Sequence, residues 1–379
     1  MKKIFIIAGE VSGDMHAAHL ISELKKQTPT EISFMGIGGD KMKAEGVTLI
    51  EHISNISFLG LTEVLKNLSV IKKVLTKTKD HIRSWEPDAL ILIDYPGFNL
   101  KMAKFAKQLG IKTIYYICPQ IWAWGEHRVK KIRENIDQLL VILPFEEQFY
   151  NKHGLKATFV GHPSFESIML KWKKNEFDEH IGRSGNEKIV GLLPGSRIME
   201  INSLLKPMLD AAKGLNDEKG PYRFILAKSN NISHEIYQQF LDNYPDLDVK
   251  IIEHAPYDVM NYSDILWVAS GTASLEAGLL GTPSLVLYKV NPLTYFIGKM
   301  VVKVPYISLT NLILEREIFP ELIQSNCTPE NIISESKKIL TDPELIHSIK
   351  SSLTELTRVL NVGHASQNAA KLIIDYLQG

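Results

Sequence analysis

Short apolar runs at residues 3–7, 32–35, 89–93, 113–117 and 138–142 read as buried strands, and helical periodicity fills the intervals 14–26, 61–85 and 100–109. The same alternation returns in the second half. Runs at 188–193, 223–227, 249–252, 265–268 and 284–287 are separated by helical stretches at 200–213, 234–243 and 272–280. Strands that are apolar throughout and alternate with helices predict parallel sheets covered on both faces. The pattern changes at 166–187, where a charged stretch poor in apolar residues predicts a linker. It divides an N-terminal α/β domain, 1–165, from a second α/β domain, 188–345. The tail beyond 329 is helical, broken near Asp342-Pro343 and Gly363, with residues 346–379 expected as C-terminal helices. The fold class expected is α/β, with two Rossmann-like domains facing across a cleft. Ligands then belong at the carboxyl ends of the strands.

Composition agrees with two domains: 379 residues exceed what one core usually holds, and 45% hydrophobic with 23% charged residues is ordinary for a globular protein. The net charge of zero argues against a nucleic-acid binder. Residues 1–170 carry 22 Lys and Arg against 18 Asp and Glu, and the remainder 21 against 25. A mildly basic first half suits an anionic ligand or membrane surface, though chance also produces so small a difference. Two cysteines, Cys118 and Cys327, form neither a metal-ligand spacing nor a disulfide framework and suit a reducing, cytoplasmic compartment. The N-terminal apolar run is too short for a signal peptide, and no stretch reaches the ~20 apolar residues needed to span a bilayer. A soluble or peripheral protein is expected.

Candidate chemistry lies in the loops after the strands. Gly9-Glu10-Val11-Ser12-Gly13-Asp14 follows the first strand. Its acids would repel a pyrophosphate, so the turn is assigned to an acceptor hydroxyl; helix capping by Ser12 or Asp14 is the competing reading. Asp94 ends the run 89–93, where partial burial would let it take a proton from an attacking hydroxyl; a helix cap is again the alternative. Trp122 and Trp124 sit in one loop and suit stacking on sugar or lipid as well as core packing. In the second half, Gly195-Ser196-Arg197 and Ser270-Gly271-Thr272-Ala273 each lie between a strand and a helix start. Backbone amides there, with the Arg197 guanidinium, can hold a diphosphate. Glu276, one turn into the second of these helices, can accept both hydroxyls of a ribose. Two stretches have lipid-facing character: the amphipathic pattern at 61–82, with lysines on its other side, and the apolar segment 295–302. Core packing explains the first equally well. No acidic pair with metal-ligand character is evident, so no metal and no cofactor are expected.

The ordered motifs GEVSGD (9–14), FLGLTEVL (58–65), ID-x-P-x-FN (93–99), CPQ-x-WAW (118–124), LPF (143–145), VGHP (160–163), LLPGSR (192–197), SGTASLE (270–276) and SLTNL (308–312) together resemble the lipid-A-disaccharide synthases. The resemblance implies a GT-B fold, an N-terminal acceptor domain and a C-terminal donor domain. It also implies inverting transfer of 2,3-diacylglucosamine from its UDP derivative to 2,3-diacylglucosamine 1-phosphate at the cytoplasmic face of the inner membrane of a Gram-negative bacterium. By that resemblance Asp94, Arg197 and Asn311 match positions important for activity, Glu10 lies in the acidic N-terminal motif, and Glu276 matches the ribose acid. Gly195, Ser196, Arg197, Ser270, Gly271, Thr272, Ala273, Glu276 and Asn311 form the expected donor set. Ser12, Asp14, Phe58, Leu61, Trp122 and Trp124 form the expected acceptor and lipid set. Gly97 departs from members that carry an acid there, so no role of that acid transfers. Another GT-B transferase, a UDP-sugar epimerase and a non-enzymatic UDP-sugar-binding membrane adaptor are the alternatives. Association as a homodimer is left open.

Overall fold

The computed structural model describes residues 1–55, 68–217, 220–301 and 304–378. Two compact units emerge: Met1–Pro163 joined by the described residues from Leu360 onward, and Ser164–Val359. Among the described residues, the first unit holds a parallel sheet of β1 (Lys2–Ala8), β2 (Ile32–Gly38), β3 (Thr48–His52), β4 (Ala89–Ile93), β5 (Lys112–Tyr116), β6 (Gln138–Val141) and β7 (Ala157–Phe159). Their order is β3-β2-β1-β4-β5-β6-β7. In the second unit, β8 (Lys188–Leu193), β9 (Tyr222–Lys228), β10 (Val249–Glu253), β11 (Ile265–Ala269), β12 (Ser284–Tyr288) and β13 (Glu321–Ile323) take the order β10-β9-β8-β11-β12-β13. Both sheets therefore start at a central strand, grow to one side, and jump back to grow on the other. The strand order, not the strand direction, reverses between β1 and β4 and between β8 and β11, which pair in parallel; these are the switch points where such sheets bind ligands.

The central strands are buried along nearly their whole length: β4 and β11 have no exposed residue. That follows from helices covering both faces, and it is why these strands read as continuous apolar runs. Three strands escape the apolar pattern: β3, β7 and β13. All three lie at a sheet edge. An edge strand is paired on one side only, so β3, with the sequence TLIEH, has one buried residue.

The expected linker is not one. Within 166–187 the helix Lys174–Ile181 buries Phe177 and Ile181, four positions apart. The buried Asp258 accepts hydrogen bonds from the amides of Lys171 (3.0 Å) and Trp172 (2.8 Å). This segment belongs to the core of the second unit. The C-terminal helices also divide. Pro329–Thr341 lies in the second unit, where Ser336 accepts the indole N–H of the fully buried Trp267 at 2.8 Å. Ala365–Gln378 belongs to the first unit: Ala365, Ala369, Ala370, Ile373 and Leu377 share a core with Ile4, Ile6 and Ile21.

No helix among the described residues is long and apolar enough to cross a membrane. The segment 61–82 lies partly outside the described residues. In its described part, the helix Leu68–Trp85 turns Ile71, Val74, Leu75 and Ile82 into the core of the first unit, while Leu68 and Val70 are exposed. On the helix Pro292–Val301, Phe296 is exposed.

Candidate functional site

In the first unit the chemistry collects at the β1/β4 switch point. Ala8 pairs with Ile93, so Glu10 and Asp94 leave the sheet side by side. Glu10 stands at the N-terminus of the helix Val11–Gln27 in extended conformation, and its side chain makes no capping bond. The Asp94 carboxyl is pushed up to about 6, first by burial and then by the charge of Glu10, against a hydrogen bond from the Tyr95 amide. Asp94 and Tyr95 both have left-handed backbone, with φ of 44° and 48°. Such conformations cost non-glycine residues about 1–3 kcal/mol each and persist only where surrounding contacts impose them. Those contacts are present. The buried Asn99 donates through Nδ2 to the carbonyls of Ile93 (3.1 Å) and Asp94 (2.7 Å), and the Tyr115 hydroxyl donates to the Asp94 carbonyl at 2.5 Å. Tyr95 in turn lies over Gly9, where a Cβ would stand 2.2 Å from the ring. The result is a fixed backbone at Asp94, carrying a carboxyl with a basicity suited to proton abstraction near neutral pH.

The other acceptor residues divide. Ser12 is exposed in the first turn of its helix. Asp14 caps no end of its own helix. It is buried, and its oxygens accept the amides of Gly39 (2.7 Å), Lys41 (3.0 Å) and Met42 (3.1 Å), fixing the turn after β2. Asp14 therefore has a structural occupation in the turn after β2. Trp122 is half-buried, with its indole N–H on Glu146 at 3.1 Å and its ring edge-on to Phe145. Trp124 closes the short helix Ile121–Trp124. Phe58 and Leu61 lie outside the described residues. Sequence reasoning missed Glu146, a buried carboxyl pushed up to about 7 by burial despite bonds from the Leu143 amide, Trp122 and the Ile142 amide. Its position in the first turn after Pro144 was the available signal.

In the second unit the two expected anion turns follow β8 and β11, the strands that flank its switch point. They are not equivalent. After β8, Gly195 takes φ +116° and the Glu200 carboxylate lies against it. One Glu200 oxygen accepts the amides of Ser196 (2.9 Å) and Arg197 (3.2 Å), and the other pairs with the Arg197 guanidinium at 2.9 Å. An internal carboxylate thus holds the amides that the sequence assigned to phosphate. After β11, Gly271 has φ +152° and ψ −160°, a region closed to side chains, and starts the helix Thr272–Leu279 with no side-chain cap. Ser270 is anchored to the Ile307 carbonyl at 3.2 Å. Thr272 is exposed and Ala273 half-buried. The uncapped amides of this turn and the positive end of the helix are suited to an anion. Glu276 follows one turn later. Its carboxyl is pushed up to about 7 by burial, moderated by hydrogen bonds from Tyr257 and Ser164. Sequence reasoning missed both of these donors.

Asn311 does not join this set. It is fully buried: Nδ2 donates to the Phe319 carbonyl (2.8 Å) and Glu321 (2.9 Å), and Oδ1 accepts the amides of Ile318 (2.8 Å) and Phe319 (2.9 Å). Every polar atom of the amide is engaged in holding the loop before β13, so direct donor contact is replaced by a structural one. Among the described residues no group of three or more His, Cys, Asp or Glu is placed to hold a metal ion.

Two doubly wound parallel units, each with polar groups gathered at its switch point, define the GT-B fold class. The glycotransferase of kitacinnamycin has this fold (TM-score 0.69, 15% identity, 99% of each chain covered). So does the UDP-GlcNAc 2-epimerase of Neisseria meningitidis, whose structure holds UDP-GlcNAc (TM-score 0.64, 14% identity, all of both chains covered). Likeness at such identity concerns the fold alone. The lipid-A-disaccharide synthetase family matches residues 4–375, and the lipid-A-disaccharide synthase of Nitrosococcus oceani is 40% identical over 99% of this chain and 96% of its own. The chain belongs to the lipid-A-disaccharide synthetase family and is a glycosyltransferase of lipid A biosynthesis. The epimerase and adaptor readings are not favoured.

Proposed function

We propose that the chain transfers 2,3-diacylglucosamine from its UDP derivative to the 6-hydroxyl of 2,3-diacylglucosamine 1-phosphate. The observation that carries this reading is the paired carboxylates at the first switch point, with Asp94 tuned to about 6. Asp94 removes the hydroxyl proton as the acceptor oxygen bonds to the sugar C1. The bond from C1 to the β-phosphate oxygen breaks on the opposite face, so the configuration inverts and UDP leaves with the electron pair. Glu10 raises the basicity of Asp94 and is the second candidate for the base. The amides starting the helix Thr272–Leu279, together with Arg197, neutralise the departing diphosphate, and Glu276 takes the ribose hydroxyls. Arg197 reaches the diphosphate by exchanging Glu200 for it.

The test is incubation with UDP-2,3-diacylglucosamine in EDTA, with and without 2,3-diacylglucosamine 1-phosphate, followed by mass spectrometry. UDP and a tetraacyl disaccharide 1-phosphate should appear only when both substrates are present. UDP without disaccharide, or no turnover at all, refutes the assignment. Peripheral attachment to the cytoplasmic face of the inner membrane belongs to the same reading, because both substrates carry acyl chains. Flotation with anionic liposomes at low salt should carry the protein upward, and failure to co-migrate counts against it. Light scattering reads whether the active species is a homodimer.

A further inference from the structure

The carboxylate expected to hold the ribose is itself held from outside its own helix. The Tyr257 hydroxyl, on the helix Pro256–Tyr262, donates to Glu276 Oε1 at 3.1 Å. Ser164, at the start of the second unit, donates to the same carboxyl. An ionised carboxylate offers about four acceptor positions. Two internal donors leave two, the number that the 2′- and 3′-hydroxyls of one ribose require.

We propose that Tyr257 is a positioning residue for the nucleotide, which with Ser164 orients Glu276 so that its remaining acceptor positions select a ribonucleoside over a deoxyribonucleoside. The inference rests on the reading of this turn as the UDP site.

Among the described residues, burial and the two hydrogen bonds, and no neighbouring charge, set the basicity of this carboxyl. Its own helix, Thr272–Leu279, carries no second charged residue. Asp258, next to Tyr257, is occupied by the amides of Lys171 and Trp172. On the helix Pro343–Leu360, which meets Gly278 through Leu356, Glu355 is paired with Arg316. At the end of β12, the Tyr288 hydroxyl is raised by burial and by Glu200, not by Glu276. Burial holds the Glu276 carboxyl near 7 and the two donors pull it down. Removing either donor therefore raises it further, which depletes the ionised form at neutral pH.

The experiment is calorimetric titration of UDP and 2′-deoxy-UDP into the full-length protein, its Tyr257→Phe, Ser164→Ala and Glu276→Gln variants, across about pH 6 to 9. For the unsubstituted protein, UDP affinity should fall as pH drops through about 7, and 2′-deoxy-UDP should bind roughly tenfold more weakly, the loss of one hydrogen bond to a charged group. Tyr257→Phe should weaken UDP about fivefold at neutral pH, move the pH midpoint upward and narrow the ribose preference. Ser164→Ala should move the midpoint in the same direction. A stable Tyr257→Phe protein with an unchanged midpoint and undiminished ribose preference overturns the proposal and leaves the UDP site standing. If UDP does not bind, or Glu276→Gln leaves its affinity unchanged, the site reading falls and this inference with it.

Discussion

Replacing Asp94 by Asn removes a base and a buried charge in one step, and the two consequences have opposite signs. The carboxyl titrates at about 6 in the fold against an ordinary 3.8. At 1.36 kcal/mol per pH unit, keeping it ionised in the folded chain disfavours folding by about 3 kcal/mol. A carboxyl raised on folding holds its proton more tightly in the native state. Its favourable contribution is fully present below pH ~4, declines between ~4 and ~6, and is gone above. Asp94→Asn carries no such penalty. In urea titrations it should therefore be more stable than the unsubstituted protein by up to about 3 kcal/mol at pH ~7.5, and the gain should vanish by pH ~4. In the same variant, disaccharide formation should fall roughly 10²–10⁴-fold, the usual range for a lost general base. In the unsubstituted protein kcat/KM should decline as pH falls through about 6. Glu10→Gln should shift that limb to lower pH, because the Glu10 charge is the second cause of the raised value. A stability difference independent of pH, or an Asp94→Asn enzyme within tenfold of full activity, would refute the reasoning.

Arg197→Ala should lower kcat about 10²-fold at saturating donor, by loss of one charge-stabilising donor worth ~3 kcal/mol; unchanged turnover removes Arg197 from the leaving-group site. Asp14→Ala strands three buried or half-buried amides and should destabilise the first unit by about 2 kcal/mol or more. Its kcat/KM, measured where the variant is folded, should stay close to normal, since its oxygens face Gly39, Lys41 and Met42. Asn311→Ala should lower stability by about 2–4 kcal/mol through four broken bonds. UDP affinity measured well below the melting temperature should persist if the role is structural, and its abolition would restore direct donor contact.

The sequence by itself determined the two-unit α/β plan and the loops that bear the chemistry. Central strands buried on both faces have no freedom to be polar, so β4 and β11 stand out as unbroken apolar runs. Glycines at helix starts advertise backbone that side chains exclude, as at Gly271. Chain connectivity also places Glu10 and Asp94 at the carboxyl ends of strands, but not beside each other. That needed β1 to pair with β4, and the basicity of Asp94 needed both that pairing and burial. Only tertiary structure decided which polar groups were already occupied. Asp14 faces amides 25 to 28 residues away, Asn311 closes a loop against β13, and Glu276 is held by Tyr257 across a helix boundary. The return of Ala365–Gln378 to the first unit is of the same kind, because an amphipathic helix specifies that one face is buried and not against what. A residue type announces the bonds it can make. Which partners fill them depends on distances between segments far apart in the chain, and those exist only once the sheets have formed.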